Sequence, residues 1–96
     1  MADKTFQQRL QLVLHAGNLS VSDLARWFDR PRPTVKDWAE NGRAPSGAPL
    51  DIEHAQALLG LLETMIKRRQ GFPVPLGLSP AKRLAHLKSI RKKALP

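Results

Sequence analysis

The sequence predicts an all-α fold: a compact four-helix unit, then an extended proline-rich strap, then a basic C-terminal helix. Apolar residues recur at helical spacing in five segments. Each segment begins or ends at a capping residue, a glycine or a proline, and no run alternates as a strand would. With 96 residues and 42% hydrophobic content, the chain can build one core but not two. We therefore expect a domain over 1–70, the strap over 71–79 and the basic helix over 80–96.

The first helix is predicted from Phe6 to Ala16. Thr5 and Gln8 have the spacing of a capping box, in which each side chain bonds the other residue's backbone N–H. Gly17 provides the C-terminal stop. The apolar stripe between these signals consists of Phe6, Leu10, Val13 and Leu14.

The second and third helices are separated by a short proline-containing turn. Ser20 begins the second helix, and Asp23 lies in its first turn, where the helix dipole favours an anion. The stretch 29–33 cannot continue this helix, because proline lacks an amide hydrogen and disfavours helical geometry in the residue before it. Pro33 suits the first turn of a new helix, predicted from Thr34 to Asn41. The side chains expected to face inward are Val21, Leu24, Ala25, Phe28, Val35 and Trp38.

The fourth helix is predicted to start at a cap on Asp51 and to run to about Gln70. Its apolar residues cover a wider arc than one face of a small domain usually needs. We therefore predict an oligomer interface on this arc and the adjoining strap, made by Leu58, Leu61, Leu62, Met65 and Phe72.

The strap and the fifth helix complete the chain. The segment from Phe72 to Leu78 is extended and too apolar for a flexible linker, so we expect it to pack along a surface. Ser79 and Pro80 are a strong helix start. The helix from Ala81 to Ala94 is basic and amphipathic, and its apolar side carries Leu84, Leu87, Ile90 and Ala94.

Charge is distributed unevenly along the chain. The net charge is +8, yet seven basic residues balance seven acidic ones between Met1 and Gly60. The whole surplus lies beyond Leu61, where nine lysines and arginines face Glu63 alone. A basic excess of this size indicates a polyanionic partner.

The segment from Ser20 to Gly42 has the outline of a helix-turn-helix, the motif that places its second helix in the major groove of DNA. Its residues resemble the phage repressor and Cro-like family in a set of positions: Leu24-Ala25-Arg26, Phe28, Thr34-Val35, Trp38, Asn41-Gly42-Arg43 and Pro45. The resemblance extends from Phe6 to about Ile66. The chain departs from it by carrying Asp29 where a turn glycine is usual, and by one extra residue within 38–42.

The resemblance implies which side chains meet DNA. The expected base-contacting residues are Arg32, Pro33, Thr34, Lys36 and Asp37. Arginine reads guanine through two hydrogen bonds and a carboxylate accepts from cytosine, so Arg32 and Asp37 are the best candidates among them. The residues expected on the DNA backbone are Arg30, Asn41 and Arg43, joined by Lys82, Arg83 and Arg91 of the basic helix.

Three interpretations of the basic helix over 80–96 stay open. The helix could contact DNA phosphates, dock on a partner protein or a second copy of the chain, or simply complete the core. Three functions follow: a phage-type transcriptional regulator that binds a palindromic operator as a symmetric oligomer, a ring-forming DNA-packaging component such as a small terminase subunit, or a protein-interaction module that binds no DNA. Oligomer count separates the first two, with two or four subunits favouring a regulator and eight or more favouring packaging.

Other classes of function lack a signal in the sequence. There is no cysteine, and His15, His54 and His86 have no metal-ligand spacing, so we expect no metal and no cofactor. No catalytic constellation stands out, and we predict that the chain is not an enzyme. A polar N-terminus and the lack of a long apolar run predict neither a signal peptide nor a membrane partner. The expected location is the cytoplasm of a bacterial host, in the cytosol or at the nucleoid.

Overall fold

A computed structural model describes residues 4–94 of the protein, with side chains up to Lys93. This part of the chain folds into five helices. The helices are α1 (Phe6–Ala16), α2 (Val21–Phe28), α3 (Arg32–Glu40), α4 (Pro49–Lys67) and α5 (Pro80–Ala94). No strand occurs in this part of the chain, and the all-α prediction is confirmed. The burial predicted for Ala94 lies outside the described side chains, as do residues 1–3, 95 and 96.

The first two helices start as their capping residues predict. Thr5 Oγ1 accepts from the backbone N–H of Gln8, and Gln8 Oε1 accepts from the N–H of Thr5. Ser20 and Asp23 make the same reciprocal pair at the start of α2. These bonds satisfy backbone donors that a helix start otherwise leaves unpaired.

The starts of α3 and α4 differ from the predicted ones. Helix α3 begins at Arg32, two residues earlier than predicted, because Pro33 in the first turn needs no hydrogen bond there. Helix α4 begins at Pro49 for the same reason, with Asp51 inside the first turn instead of at the cap. It ends at Lys67, three residues before the predicted end at Gln70. Arg69, two residues beyond the helix, has the left-handed backbone conformation with a φ of 54°.

The core lies where α1, α2, α3 and α4 meet. Its fully buried side chains are Leu10, Leu24, Val35, Leu59 and Leu62. Next to them, Phe6, Phe28 and Trp38 form an aromatic cluster with ring centroids 5.5–6.2 Å apart. Trp27 is also buried, and its indole N–H donates to the carbonyl of Leu58 at 3.0 Å. This bond joins α2 to α4 and satisfies the polar end of a buried ring.

The strap and α5 belong to the same core. Phe72 and Val74 are 4% and 1% exposed, and Val74 N–H donates to the carbonyl of Gly17 at 2.8 Å. Leu87 and Ile90 of α5 are buried, and α5 packs on α2. The strap therefore lies along the end of α1, and α5 covers a face of the preceding helices.

This packing corrects the interpretation of the wide apolar arc on α4. Leu58, Leu62, Met65 and Phe72 are at most 7% exposed within the single chain, and Leu61 is half-buried. The arc is wide because α4 packs against both α1 and α2. Leu58, Leu62, Met65 and Phe72 therefore belong to the core of the single chain, and Leu61 is the residue of the predicted interface that keeps part of its surface exposed.

Candidate nucleic-acid interface

The connection between α2 and α3 consists of residues 29–31. Asp29 ends α2 in the left-handed conformation, with φ 55° and ψ 50°. Its own N–H bonds the carbonyl of Arg26, and the N–H of Arg30 bonds the carbonyl of Ala25 at 3.0 Å. Aspartate tolerates this geometry better than most residues, so the turn forms without the glycine usual in the resembled family.

One face of α3 holds the helix against the core. Val35, Trp38 and Ala39 are at most 5% exposed. The side-chain amides of Gln7 and Gln11 on α1 both donate to the carbonyl of Ala39. Packing and polar contacts thus fix the rotation of α3 about its axis.

The other face of α3 points outward. Arg32, Pro33 and Lys36 are exposed, while Thr34 and Asp37 are half-buried. All five predicted base-contacting residues therefore lie on one nine-residue helix, outside the core. The structure brings them together on the face of α3 that does not pack against the core.

Three of these side chains contact neighbours that lie at the surface. Arg32 Nε donates to Ser22 Oγ at 3.0 Å, and Lys36 Nζ lies 3.9 Å from Glu40 Oε2. Asp37 Oδ1 accepts from the amide of Asn41 at 2.6 Å. Exposed contacts of this kind contribute about 0–1 kcal/mol, so a stronger partner can replace them.

The residues predicted to hold the DNA backbone near α3 lie at its two ends. Arg30 precedes α3, and its guanidinium lies 3.8 Å from Asp51 in the first turn of α4. Asn41 and Arg43 follow the helix and are exposed. The N–H of Arg43 donates to the carbonyl of Asp37, which turns the chain back over the end of α3.

On α5, one of the residues predicted to contact phosphate has partners within the protein. Arg83 donates to Asp23 Oδ2 at 2.5 Å and to the carbonyl of Asn18 at 2.7 Å, and its side chain is 22% exposed. Arg83 therefore pins α5 to α2, and a phosphate contact at this residue stays a prediction. Lys82 is exposed, as the phosphate prediction requires, and Arg91 is half-buried beside α2.

Asp23 is the buried partner of this contact, at 2% exposure. Burial alone raises the pKa of a carboxyl group, but the hydrogen bonds from Arg83 and Ser20 outweigh it and hold the pKa of Asp23 below its ordinary value. The carboxylate stays charged because its donors replace the water that burial removes. The sequence placed Asp23 in a first helical turn but carried no signal of its partner 60 residues away.

The structure gives no group of three histidine, cysteine or acidic residues placed to hold a metal ion within residues 4–94. Of the histidines, His15 and His54 are exposed, and His86 Nε2 lies 2.8 Å from the carbonyl of Gly71. Over the same residues, no helix combines the length and the apolar character needed to cross a membrane.

Comparisons with protein-family models, with curated proteins and with solved structures found no match. The feature of the chain that most favours a function is α3, a helix with one face anchored in the core and polar side chains on the other.

Proposed function

We propose that this protein binds double-stranded DNA in a sequence-specific manner, with α3 in the major groove, and that it acts as a phage-type transcriptional regulator. One observation carries the proposal. Helix α3 follows α2 after a three-residue turn, is anchored through Val35, Trp38 and Ala39, and turns its polar residues outward. A helix held in this way fits a groove about 12 Å wide.

The chemistry of the outward face supports base recognition. Arg32 at the start of α3 has five N–H donors, of which the contact with Ser22 engages Nε. Donors on the guanidinium can meet O6 and N7 of guanine, an arrangement worth about 1–3 kcal/mol of discrimination. Asp37, one turn further along, can accept from the amino group of cytosine once it exchanges Asn41 for the base.

Electrostatic attraction comes from the C-terminal third of the chain. Lys82, Lys88, Lys92 and Lys93 of α5 are exposed, whereas the charges of residues 1–60 cancel. Phosphate neutralisation by such residues provides affinity without sequence preference. We propose that α3 supplies specificity and that α5 supplies much of the general attraction.

Substitution of Arg32 tests the base contact. A preferred duplex is first selected from a random pool, and R32A is then compared with wild type on that duplex and on its single-base variants. We expect about a 10- to 100-fold loss on the preferred duplex and relaxed preference at one base pair. R68A is the matched control, because Arg68 is an exposed arginine beyond α4. A reduction of the same size for all duplexes in R32A would contradict base contact by this residue.

The role of α5 calls for point substitutions, because deleting the helix would uncover the core residues Leu87 and Ile90. We expect K82Q/K92Q/K93Q to weaken binding to all duplexes alike. The slope of log K against log salt should fall by about 3, close to one for each phosphate that is no longer neutralised. An unchanged slope would assign these lysines to protein contacts.

Symmetric assembly is part of the proposal, because one such helix reads only one half-site. The subunit count from light scattering tests it. Two or four subunits agree with a regulator, and a ring of eight or more would indicate DNA packaging instead. A monomer both free and on the selected duplex would contradict symmetric binding.

A further inference from the structure

A small cavity lies between α2 and α5, beside the turn that leads into α3. Its volume is about 230 Å³. Trp27, Leu84 and Leu87 supply its apolar wall. The charged residues on its lining are Arg26, Asp29, Lys88 and Arg91.

The lining carries an excess of positive charge. Three cationic side chains face one carboxylate, that of Asp29. The C-terminal end of α2 offsets a further part of this charge through the helix dipole. Arg26 also lies 4.0 Å from Asp23, but that carboxylate already accepts from Arg83 at 2.5 Å. Net positive charge therefore remains at the cavity.

Arg91 has a donor without an acceptor. Its Nε atom is buried, and within the described part of the chain no hydrogen-bond partner reaches it. A buried N–H group without a partner is costly, and such groups in native proteins usually have an ion, a water or a ligand as partner. Arg91 lines the cavity, so an anion bound there lies beside its guanidinium group.

We propose that this cavity binds a phosphate group, with Arg91 and Arg26 as guanidinium donors and Lys88 as a point charge. Guanidinium groups match phosphate geometry with paired N–H donors, and an ammonium group adds charge without a fixed direction. The cavity volume exceeds the share of one water in the liquid, about 30 Å³. It is below the roughly 300–1,000 Å³ of sites for larger organic ligands. A single oxyanion with its nearest waters fits this range.

The phosphate group can come from the DNA backbone or from a small phosphorylated molecule, since both present the same oxyanion to the cavity. The proposal does not depend on α3 entering the groove, because none of the base-contacting residues lines this cavity. R32A, which tests that function, leaves the phosphate site intact. The two ideas can therefore fail separately.

The indole N–H signals of the two tryptophans, observed by NMR, test the site. Trp27 lines the cavity, whereas Trp38 lies in the cluster with Phe6 and Phe28. Titration with inorganic phosphate, at ionic strength held constant with chloride, should move the Trp27 signal to saturation and leave that of Trp38 in place. K88Q should weaken this binding about tenfold, the reduction expected for one charged donor. K67Q removes the same charge from an exposed position at the end of α4 outside the cavity, so its affinity for phosphate should stay near that of wild type.

A second titration with short duplex DNA identifies the source of the phosphate group. If the DNA backbone occupies the cavity, the duplex moves the Trp27 signal, K88Q removes that movement, and K67Q does not. If the natural ligand is a small phosphorylated molecule, inorganic phosphate alone moves the signal and the duplex binds without competing. Either result supports the site. The proposal is overturned if neither ligand moves the Trp27 signal to saturation, or if K88Q and K67Q weaken the response equally.

Discussion

Replacing Arg83 with glutamine tests the contact that holds α5 on α2. Breaking a fully buried ion pair costs about 3–5 kcal/mol, because a charge is left without its partner. Here Asp23 is buried, but the Arg83 side chain is 22% exposed, and the Asp23 carboxylate still accepts from the backbone N–H of Ser20. We therefore expect R83Q to lower the free energy of unfolding by about 2–3 kcal/mol. For a domain of this size the midpoint of thermal unfolding falls by about 10–20 °C.

Urea unfolding followed by circular dichroism measures this change. K82Q is the matched control, because Lys82 is the exposed neighbour of Arg83 and its replacement changes the net charge by the same amount. We expect K82Q to lie within about 0.5 kcal/mol of wild type. Equal stabilities for R83Q and K82Q would refute the structural role assigned to Arg83.

The same pair predicts how stability depends on pH. Burial raises the pKa of Asp23, and the bonds from Arg83 and Ser20 lower it by more, so the folded-state pKa lies below the unfolded value of about 3.9. The contribution of the pair is complete above that value and disappears as the pH falls through the folded-state pKa. In R83Q the decline below about pH 4 should be shallower, because Arg83 no longer lowers the pKa. Parallel acid-unfolding curves for the two proteins would show that Asp23 does not carry this dependence.

Two further substitutions test local features. Arg69 has a φ of 54° just beyond the end of α4. We expect R69G to raise the free energy of unfolding by about 0.5–1 kcal/mol in urea, because glycine relieves the left-handed strain of the folded state by more than it adds entropy to the unfolded chain. R68G is the control, because Arg68 has a φ of −88° and carries no left-handed strain for glycine to relieve. We expect R68G only to add entropy to the unfolded chain, so a higher free energy of unfolding in R68G would contradict the explanation. W27F removes the bond from the Trp27 indole to Leu58 and part of a buried ring, and should lower the thermal midpoint by about 8–20 °C. A midpoint within about 2 °C of wild type would show that the indole bond contributes little.

The helices were predictable where their start signals are local. Thr5 and Ser20 begin helices in the sequence and in the structure, since each cap bonds residues only three positions away. The start of α4 was harder to place, because proline and aspartate are both common at helix starts and the sequence offers Pro49 and Asp51 two residues apart. Proline at the first position needs no donor, and the carboxylate then gains from the helix dipole two residues later. The start therefore falls on Pro49.

The candidate site was predictable in part for the same reason. The outward face of α3 follows from helical periodicity once Val35 and Trp38 are recognised as buried. The docking of α5 has no such periodic signal. Arg83 is separated from Asp23 by 60 residues. A basic residue on an amphipathic helix gives the same sequence pattern whether it contacts a phosphate or a buried carboxylate. For this reason neither the internal partner of Arg83 nor the cavity beside Lys88 was predicted.

The closure of the core by the last helix has a consequence for synthesis on the ribosome. While only the segment up to α4 has emerged, Asp23 lacks the guanidinium that balances it, and the ring of Trp27 lacks the ring of Phe72 that packs against it. Chain elongation at about 5–20 residues per second leaves this surface open for seconds. The nascent chain is therefore prone to association until α5 has emerged and packed on α2.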